Sequence, residues 1–302
     1  MQTSKLQQPA LKVVLCLHDP NSTYWAYTAA AIQSLCIHSS RALSIQLLID
    51  DSVAQTTVDA LTQRACNLGH DLTATRVDLP EGVSAKAMGK FSPAAMFRLY
   101  APTLFKQDEV LLYVDSDVVF NGLDVQDLMD AVPSDAVIAG VHDPFMQLFA
   151  AKELALVGLD GARYINSGVL VLRPKQISED LIGGFVAFSA SFQQVLHLDQ
   201  NYINHAFAGR IAFLDDRFNF QVNLGNRQMF HPLSFYDNKL LHFTGRIKPL
   251  DGALCPAWLP FWRYSGSDTP AAKQFDNKPL KYLVPLKGRP HVGKLLDGGE
   301  HS

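Results

Sequence analysis

The sequence predicts an α/β fold in which a mixed, mostly parallel sheet is flanked by helices. Five short apolar runs support the sheet, at residues 11–17, 45–49, 110–114, 136–141 and 169–172. Nearly continuous apolar runs of this length are typical of strands that are buried on both faces. Three segments with helical character lie between these runs, at residues 24–38, 52–68 and 96–104. The alternation of strands and helices is the signature of this fold class.

Polar residues follow four of the apolar runs directly. In open α/β sheets, ligands collect at the carboxyl ends of the strands, so these residues are the first candidates for a binding site. The four positions are His18-Asp19, Asp50-Asp51, Asp115-Ser116-Asp117 and His142-Asp143.

Composition excludes several classes of protein. The chain has 302 residues, of which 48% are hydrophobic and 18% charged, and this is enough to bury a substantial core. Its formal net charge of -3 argues against a general nucleic-acid binder, because neutralising a phosphate backbone requires a surplus of Lys and Arg. We therefore expect small molecules as ligands.

Cysteine usage and hydropathy indicate a cytoplasmic protein. The four cysteines lack C-x-x-C spacing, which suggests neither a structural zinc site nor a disulfide framework. The first apolar stretch, residues 13–17, is too short for the core of a signal peptide. No uncharged apolar run reaches the roughly 18 residues of a membrane-spanning helix. We expect a protein that is soluble or peripheral on the inner face of the membrane.

The carboxyl-terminal part of the chain differs in amino-acid composition from the rest. Beyond Gly252 the sequence becomes rich in Pro, Trp and Tyr, and residues 271–295 then carry six basic residues and one acidic residue. Such a segment fits either a solvated surface or a surface that contacts anionic lipid. We expect residues 1–250 to form the catalytic domain and residues 251–302 to form a small extension.

Two carboxylates, Asp115 and Asp117, stand two residues apart at the end of the apolar run 110–114. Side chains alternate along an extended backbone, which sends both carboxylates to the same side. Hard oxygen ligands of this kind suit Mn²⁺ or Mg²⁺ whose other ligands are phosphate oxygens. Taken alone, the pattern also fits a solvated strand end or a helix cap.

The segment 242–250 combines an imidazole, a glycine and two cations within seven residues. His242 can complete a mixed nitrogen and oxygen coordination sphere, and Gly245 permits close approach of the backbone. Lys248 or Arg246 can pair with diphosphate oxygens. Without further information, His242 is also explained as a structural histidine.

Taken together, these segments make the chain resemble family 8 glycosyltransferases. These retaining enzymes include bacterial lipopolysaccharide α-galactosyltransferases and α-glucosyltransferases and, more distantly, glycogenin. The resemblance covers roughly residues 11–250 and rests on five motifs in family order, at residues 90–99, 113–119, 164–172, 198–204 and 242–250.

The resemblance implies a GT-A (Rossmann-like) fold and assigns roles to individual residues. Asp115, Asp117 and His242 resemble the ligands of Mn²⁺ in a complex with a UDP-sugar, and Ser116 lies between the two acids. Arg98 resembles the arginine that contacts the donor sugar and supports the Asp-x-Asp loop. The residues that match those lining the donor sugar and the reacting face are Asn166, Asp199 and Gln200, and those that match the diphosphate loop are Gly245 and Lys248.

Local alternatives exist for three of these residues. Arg98 also fits a surface helix charge, although its apolar surroundings in the sequence favour a paired, buried role. Asn166 also fits a turn before the strand 169–172, and Asp199 also fits the cap of the following helix.

The chain departs from the family pattern after its first strand. Family members follow that strand with a short acidic loop that binds uracil and ribose, whereas residues 18–24 form a longer loop here. Asp19 and Tyr24 are the candidates for this contact. Leu250 stands where the family often has Trp. Asp143 matches an acceptor-side aspartate or, equally well, a helix cap.

The resemblance implies a retaining enzyme that moves galactose or glucose from a UDP-sugar to a glycan or glycolipid acceptor in cell-surface polysaccharide or lipopolysaccharide synthesis. Gln200 is the family position next to the anomeric carbon. Because a carboxamide is a poor nucleophile, front-face substitution is the favoured mechanism. Two alternatives are a nucleotide-sugar hydrolase and a catalytically silent protein that binds UDP-sugars.

Overall fold

The computed structural model describes residues 9–83, 92–192, 195–222, 231–245, 248–251 and 256–266. Arg246 and the basic segment 271–295 lie outside the described residues. The first part of the chain alternates strands and helices, in the order β1 (Leu11–Leu17), α1 (Trp25–Ile37), β2 (Leu43–Ile49), α2 (Gln55–Asn67) and β3 (Asp71–Arg76).

The helix expected over residues 96–104 is interrupted. Two four-residue helices, α3 (Ala94–Phe97) and α4 (Ala101–Leu104), flank a 3-10 turn at Arg98–Tyr100. Pro102 stands in the first turn of α4 and has no backbone N–H to continue an α-helical ladder. The helical character expected for residues 96–104 is present, but a 3-10 turn divides it.

The remaining strands and helices follow in the order β4 (Leu111–Val114), β5 (Val118–Asn121), α5 (Val125–Asp130), β6 (Ile138–His142), α6 (Pro144–Phe149), α7 (Ala151–Leu156), β7 (Ile165–Leu172), α8 (Leu181–Ser191), α9 (Leu198–Ala206), β8 (Ile211–Leu214), β9 (Phe220–Gln221), β10 (Lys239–His242) and α10 (Leu259–Ser265). Asp216–Asn219 form a 3-10 turn immediately before β9.

Two sheets organise the described part of the chain. The large sheet has seven strands in the order β3-β2-β1-β4-β7-β6-β8, and the small sheet has the order β5-β10-β9. Within the large sheet only β7 runs antiparallel to its neighbours, β4 and β6. The expected mixed, mostly parallel sheet is confirmed. Because β7 is antiparallel to β4, the amino end of β7 lies beside the carboxyl end of β4.

The central strands of the large sheet are buried on both faces, as continuous apolar strands predict. Successive side chains of β1 belong to different cores: Val13 packs in the cluster that contains Leu35 of α1 and Leu61 of α2. Val14 packs in the cluster on the other face, which contains Phe185 of α8. The alternation of side chains along a strand thus gives a helix–sheet–helix arrangement.

A third, aromatic cluster joins the small sheet to the carboxyl-terminal region. Trp258 and Phe261 are buried against Tyr27 of α1 and Leu241 of β10. The Pro- and aromatic-rich part of the sequence therefore packs on the sheet domain within residues 256–266. Among the described residues, no helix combines the length and hydropathy needed to cross a bilayer.

Candidate active site

Asp115 and Asp117 lie in the tight turn that connects β4 to β5. The strand ends at Val114, so the two acids are held by a turn and not by the extended backbone that the sequence suggested. The backbone N–H of Val118 donates to the carbonyl of Asp115 at 3.1 Å. The hydroxyl of Ser116 donates to the carbonyl of Cys16 at 2.6 Å, which fastens the turn to the end of β1.

His242 reaches the two carboxylates through the small sheet. It is the last residue of β10 and pairs with Val118, the first residue of β5. Its Nε2 lies 3.6 Å from Oδ2 of Asp115 and 3.4 Å from Oδ1 of Asp117. The potential ligand atoms of the three residues all lie within 4.8 Å of one another. Two hard carboxylates and one imidazole form a set that fits Mn²⁺ or Mg²⁺.

Gly168 forms the floor beneath this cluster. A Cβ at this position would lie 2.1 Å from Cε1 of His242 and 2.9 Å from Oδ2 of Asp115. No side chain fits at these distances without displacing one of the two groups. The backbone carbonyl of Gly168 also accepts the N–H of Asp115 at 2.7 Å. A residue without a side chain therefore allows β7 to pass directly under the cluster.

The buried guanidinium of Arg98 bridges several segments of the chain. Its Nη2 lies 3.0 Å from Oδ1 of Asp115, and its Nε lies 3.3 Å from Oδ2 of Asp199. Its Nη1 donates to the carbonyl and the hydroxyl of Ser167 at 2.6 and 2.7 Å. The planar fork of an arginine suits this multiple contact.

Burial in this region changes the ionisation of Asp199. Loss of solvent raises the pKa of the carboxyl group, and the nearby Asp115 raises it further. The Arg98 guanidinium opposes this effect, but the pKa of Asp199 remains above its ordinary value. Asp199 lies in the first turn of α9, while His197 occupies the cap position, so the capping role considered for Asp199 was wrong.

A network of carboxamides lies beside the cluster. Oε1 of Gln200 accepts the backbone N–H of Ser167 at 2.9 Å, and its Nε2 donates to Oδ2 of Asp143 at 3.0 Å. Nδ2 of Asn166 donates to the same oxygen of Asp143 at 3.1 Å. Asn166 belongs to β7, so the alternative of a turn before that strand was wrong. Both ends of the Gln200 carboxamide are thus held in place.

Asp143 caps a helix, which was one of the two roles considered for it, and its acceptor-side role stays a prediction. Its Oδ1 accepts the backbone N–H groups of Phe145 and Met146 and caps α6. Its Oδ2 binds Asn166 and Gln200. A single buried carboxylate therefore anchors a helix and orients two amides of the candidate site.

Lys248 and Tyr24 both contact the second acid of the turn. The ammonium of Lys248 and the hydroxyl of Tyr24 donate to Oδ2 of Asp117, the latter at 3.1 Å. Burial alone would raise the pKa of Asp117, but the adjacent ammonium of Lys248 holds it well below its ordinary value. Burial, followed by the nearby carboxylates, raises the pKa of Tyr24 well above its ordinary value, so the phenol keeps its proton.

A family model described as glycosyl transferase family 8 matches residues 13–251. The chain belongs to glycosyltransferase family 8. Among curated proteins it is similar to a putative glycosyltransferase of Haemophilus influenzae, with 26% identity over 137 residues, 45% of this chain and 41% of that protein. It is also similar to the glycosyltransferase GlyB of Streptococcus pneumoniae, with 25% identity over 169 residues, 52% of this chain and 38% of that protein. The chain thus spans about two fifths of the length of these relatives.

Solved structures share the fold of this family 8 glycosyltransferase. The galactosyltransferase LgtC, crystallised with donor and acceptor sugar analogues, superimposes with a TM-score of 0.69 and 19% identity over 87% of this chain and 99% of its own. The bifunctional glycosyltransferase WbbM gives a TM-score of 0.66 and 20% identity over 91% of this chain and 52% of its own. The GT-A architecture expected from the sequence is confirmed.

Asp19 organises the loop that follows β1. Both carboxylate oxygens of Asp19 accept backbone N–H groups, from Thr23 and Tyr24 at 2.8 Å and from Trp25 at 3.0 Å. Asp19 is therefore an anchor of its own loop. Nδ1 of His18, which is partly exposed, lies 2.5 Å from Oδ2 of Asp50.

The structure brings together the predicted residues Arg98, Asp115, Ser116, Asp117, Asn166, Asp199, Gln200, His242 and Lys248. Gly245 lies in the bend between His242 and Lys248. Sequence reasoning missed Ser167 and Asn219. Ser167 follows Asn166 at the start of a strand whose other residues are apolar or glycine, and Asn219 stands between two buried phenylalanines. A polar residue beside residues typical of a buried core was the available signal in both places.

Proposed function

We propose that this family 8 glycosyltransferase transfers galactose or glucose from a UDP-sugar to a glycan or glycolipid acceptor with retention of anomeric configuration. We also propose that it acts in cell-surface polysaccharide or lipopolysaccharide synthesis in the cytoplasm. The observation that carries the proposal is the cluster of Asp115, Asp117 and His242 with Lys248 at its edge. A nucleoside diphosphate needs both a divalent cation and a fixed positive charge when it leaves.

Mn²⁺ or Mg²⁺, when bound, offsets the negative charge that accumulates on the departing diphosphate. Asp115, Asp117 and His242 are the residues that would hold the ion. The ammonium of Lys248 would contact the same diphosphate, because it lies against Asp117, one of the residues proposed to hold the ion. Ser116 and Gly245 would approach the donor through the turn and the bend in which they lie.

The reacting face is proposed to lie along Arg98, Asn166, Asp199 and Gln200. Burial and mutual pairing hold these side chains in fixed positions, so the side chains are already oriented before the substrate binds. Asp19 supports the loop that carries Tyr24, which would border the nucleoside. Asp143 positions Asn166 and Gln200 by accepting a hydrogen bond from the side chain of each.

In the proposed front-face reaction, the bond from the anomeric carbon to the diphosphate oxygen breaks. A bond from the acceptor hydroxyl oxygen to the same face of that carbon forms, and the diphosphate takes the acceptor proton. The state of Gln200 supports this choice over a covalent intermediate. Its Oε1 already accepts from the N–H and the hydroxyl of Ser167, so its lone pairs are directed at the protein.

The test is release of UDP by the purified chain from UDP-galactose and UDP-glucose, with and without Mn²⁺ and with GDP-mannose as the control donor. Transfer requires Mn²⁺-dependent release that accelerates when an oligosaccharide or glycolipid acceptor is added. Fast release that ignores the acceptor would identify a hydrolase. Absence of Mn²⁺-dependent UDP binding in isothermal titration would contradict every enzymatic version of the proposal.

Two further parts of the proposal rest on sequence alone. Residues 271–295 are proposed to contact anionic lipid, since the segment contains six basic residues and one acidic residue. Residues 1–250 are proposed as the catalytic domain. Sedimentation with phosphatidylglycerol vesicles, compared with phosphatidylcholine vesicles, tests the first part. Equal pelleting with the two lipids would contradict it.

A further inference from the structure

We infer that Asn219 is a positioning residue that fixes the ring of His242 and leaves its Nε2 for the metal ion. The inference deepens the proposed function and rests on it, because it concerns the same cation site. Asn219 is 1% exposed and lies at the end of the 3-10 turn before β9. Its side-chain oxygen lies 2.9 Å from Nδ1 of His242. Its nitrogen donates to Oδ1 of Asn166, also at 2.9 Å.

The orientation of these amides follows from two groups whose hydrogen-bonding roles allow no choice. The backbone N–H of Gly168 can only donate, and it meets Oδ1 of Asn166 at 2.9 Å. The carboxylate of Asp143 accepts four hydrogen bonds, and one comes from Nδ2 of Asn166 at 3.1 Å. A flipped Asn166 would set nitrogen against the N–H and oxygen against the carboxylate. Its orientation is therefore determined.

The same logic passes from Asn166 to His242. Because Asn166 presents its oxygen, Asn219 must direct its NH₂ group toward Asn166 and its own oxygen toward His242. An oxygen without a hydrogen can only accept, so Nδ1 of His242 carries the proton. The nitrogen that faces Asp115 and Asp117 is Nε2, and it is the one with a lone pair to offer a metal ion.

This arrangement matches a general requirement of metal sites. A histidine that binds a metal through one ring nitrogen usually donates the other N–H to an oxygen, which sets both the tautomer and the direction of the ring. Removal of such a partner typically weakens metal binding about 10- to 100-fold. Here a series of hydrogen bonds runs from Asp143 through Asn166 to Asn219, and the group that contacts His242 is a neutral amide. This series also links the metal side of the site to the face near Gln200.

The first experiment measures the affinity for Mn²⁺ by electron paramagnetic resonance, without donor, in the full chain. Asn219→Leu removes the acceptor at similar volume, and we expect about 10-fold weaker binding or worse. Asn219→Asp retains an acceptor for Nδ1–H and should restore most of the affinity despite lower thermal stability. Unchanged affinity in the folded Leu variant would overturn the inference, as would equal losses in both variants.

A matched control separates positioning from packing. Asn121 is a second buried asparagine in the small-sheet region, and its Nδ2 donates to the carbonyl of Tyr236 at 2.8 Å, away from His242. Asn121→Leu should lower stability while leaving Mn²⁺ affinity within about 3-fold of the parent, well inside the range for loss of a ligand partner. A loss of affinity equal to that of Asn219→Leu would assign the effect to packing and overturn the inference.

The second experiment needs no folded variant of Asn219. Nitrogen-15 spectra of the imidazole rings of the parent chain identify the tautomer of each neutral histidine, and comparison with His242→Gln assigns the relevant signals. Protonated Nδ1 in His242 supports the inference, and protonated Nε2 with bare Nδ1 overturns it. This result stands even if the chain binds no Mn²⁺, so failure of the proposed function and failure of the positioning role remain distinguishable.

Discussion

The ammonium of Lys248 donates to Oδ2 of Asp117, which joins the segment after β10 to the turn after β4. The same ammonium donates to the carbonyl of Phe243 at 2.7 Å. Under the proposed function, a cation held in this way would contact the diphosphate. Two predictions concern this pair of residues.

Lys248→Ala is expected to weaken UDP binding by about 10-fold or more, since a hydrogen bond to a charged group contributes roughly 1.5–3 kcal/mol. Binding of Mn²⁺ alone should be no weaker, because a competitor for Asp117 has been removed. Isothermal titration with Mn²⁺ and then with UDP measures both. Lys175→Ala is the control, since that lysine forms an exposed pair with Glu109. Parent-like UDP affinity and turnover would remove Lys248 from the site.

Asp117→Asn is expected to lower turnover by at least about 100-fold, because loss of a ligand charge costs several kcal/mol of transition-state stabilisation. Initial rates of UDP release at saturating Mn²⁺ measure the effect. Asp135→Asn, at an exposed turn position, serves as the matched control. Full activity of the Asp117 variant would show that the metal assignment is wrong.

Gly168→Ala is expected to abolish Mn²⁺ binding and to cost about 1–3 kcal/mol of unfolding free energy, because the added methyl group collides with His242 and Asp115. Urea unfolding and Mn²⁺ titration measure the two effects. Gly158→Ala is the comparison, since its φ of 68° strains any side chain while nothing lies within 4 Å. Both variants should lose stability. Retained Mn²⁺ affinity in the Gly168 variant would refute the close approach of β7.

The pair formed by His197 and Glu153 predicts a pH dependence of stability. Burial alone would lower the pKa of His197, but its contact with Glu153, at 3.2 Å, raises it above the ordinary value. A raised pKa gives stability that is present below about pH 6.5 and is lost as pH rises through the folded-state pKa. The difference in unfolding free energy between the parent and His197→Gln should therefore shrink as pH rises above about 6.5.

His38 supplies the control with the opposite sign. Burial lowers its pKa, so the folded state disfavours its protonated form, and this penalty disappears as pH rises toward about 6.5. Relative to His38→Gln, the parent should gain stability as pH rises toward about 6.5. Urea titrations at these pH values measure both pairs. Slopes of the same sign in the two comparisons would contradict the assignments.

In an α/β sheet, ligands collect at the carboxyl ends of the strands, and this rule selected Asp115 and Asp117 as candidates. The rule applies because β4 runs parallel to its neighbour β1. The same rule does not select Asn166 or Ser167. They lie at the amino end of β7, and this end reaches the same edge only because β7 is antiparallel. Strand direction is not encoded in an apolar run, so the resemblance to family 8, and not the pattern, identified Asn166.

The small sheet escaped sequence analysis for a different reason. Its strands have only four, two and four residues, which is too short for a period to be recognised. His242 therefore had no structural context in the sequence, and its partner Asn219 had no signal beyond a lone polar residue among aromatics. The pairing of β10 with β5 supplies the missing context, because it carries His242 to the turn that holds Asp117.

Arg98 ties together parts of the chain that are distant in sequence, since it contacts Asp115, Ser167 and Asp199 at once. No local fragment contains all of these partners, so Arg98 supports Asp115 with its full set of contacts only when α9 is docked on β7. Under the proposed function, affinity for Mn²⁺ would for this reason measure complete assembly. In refolding or in a library of variants, it would separate native molecules from compact but wrongly packed ones that a helix signal in circular dichroism would count as folded.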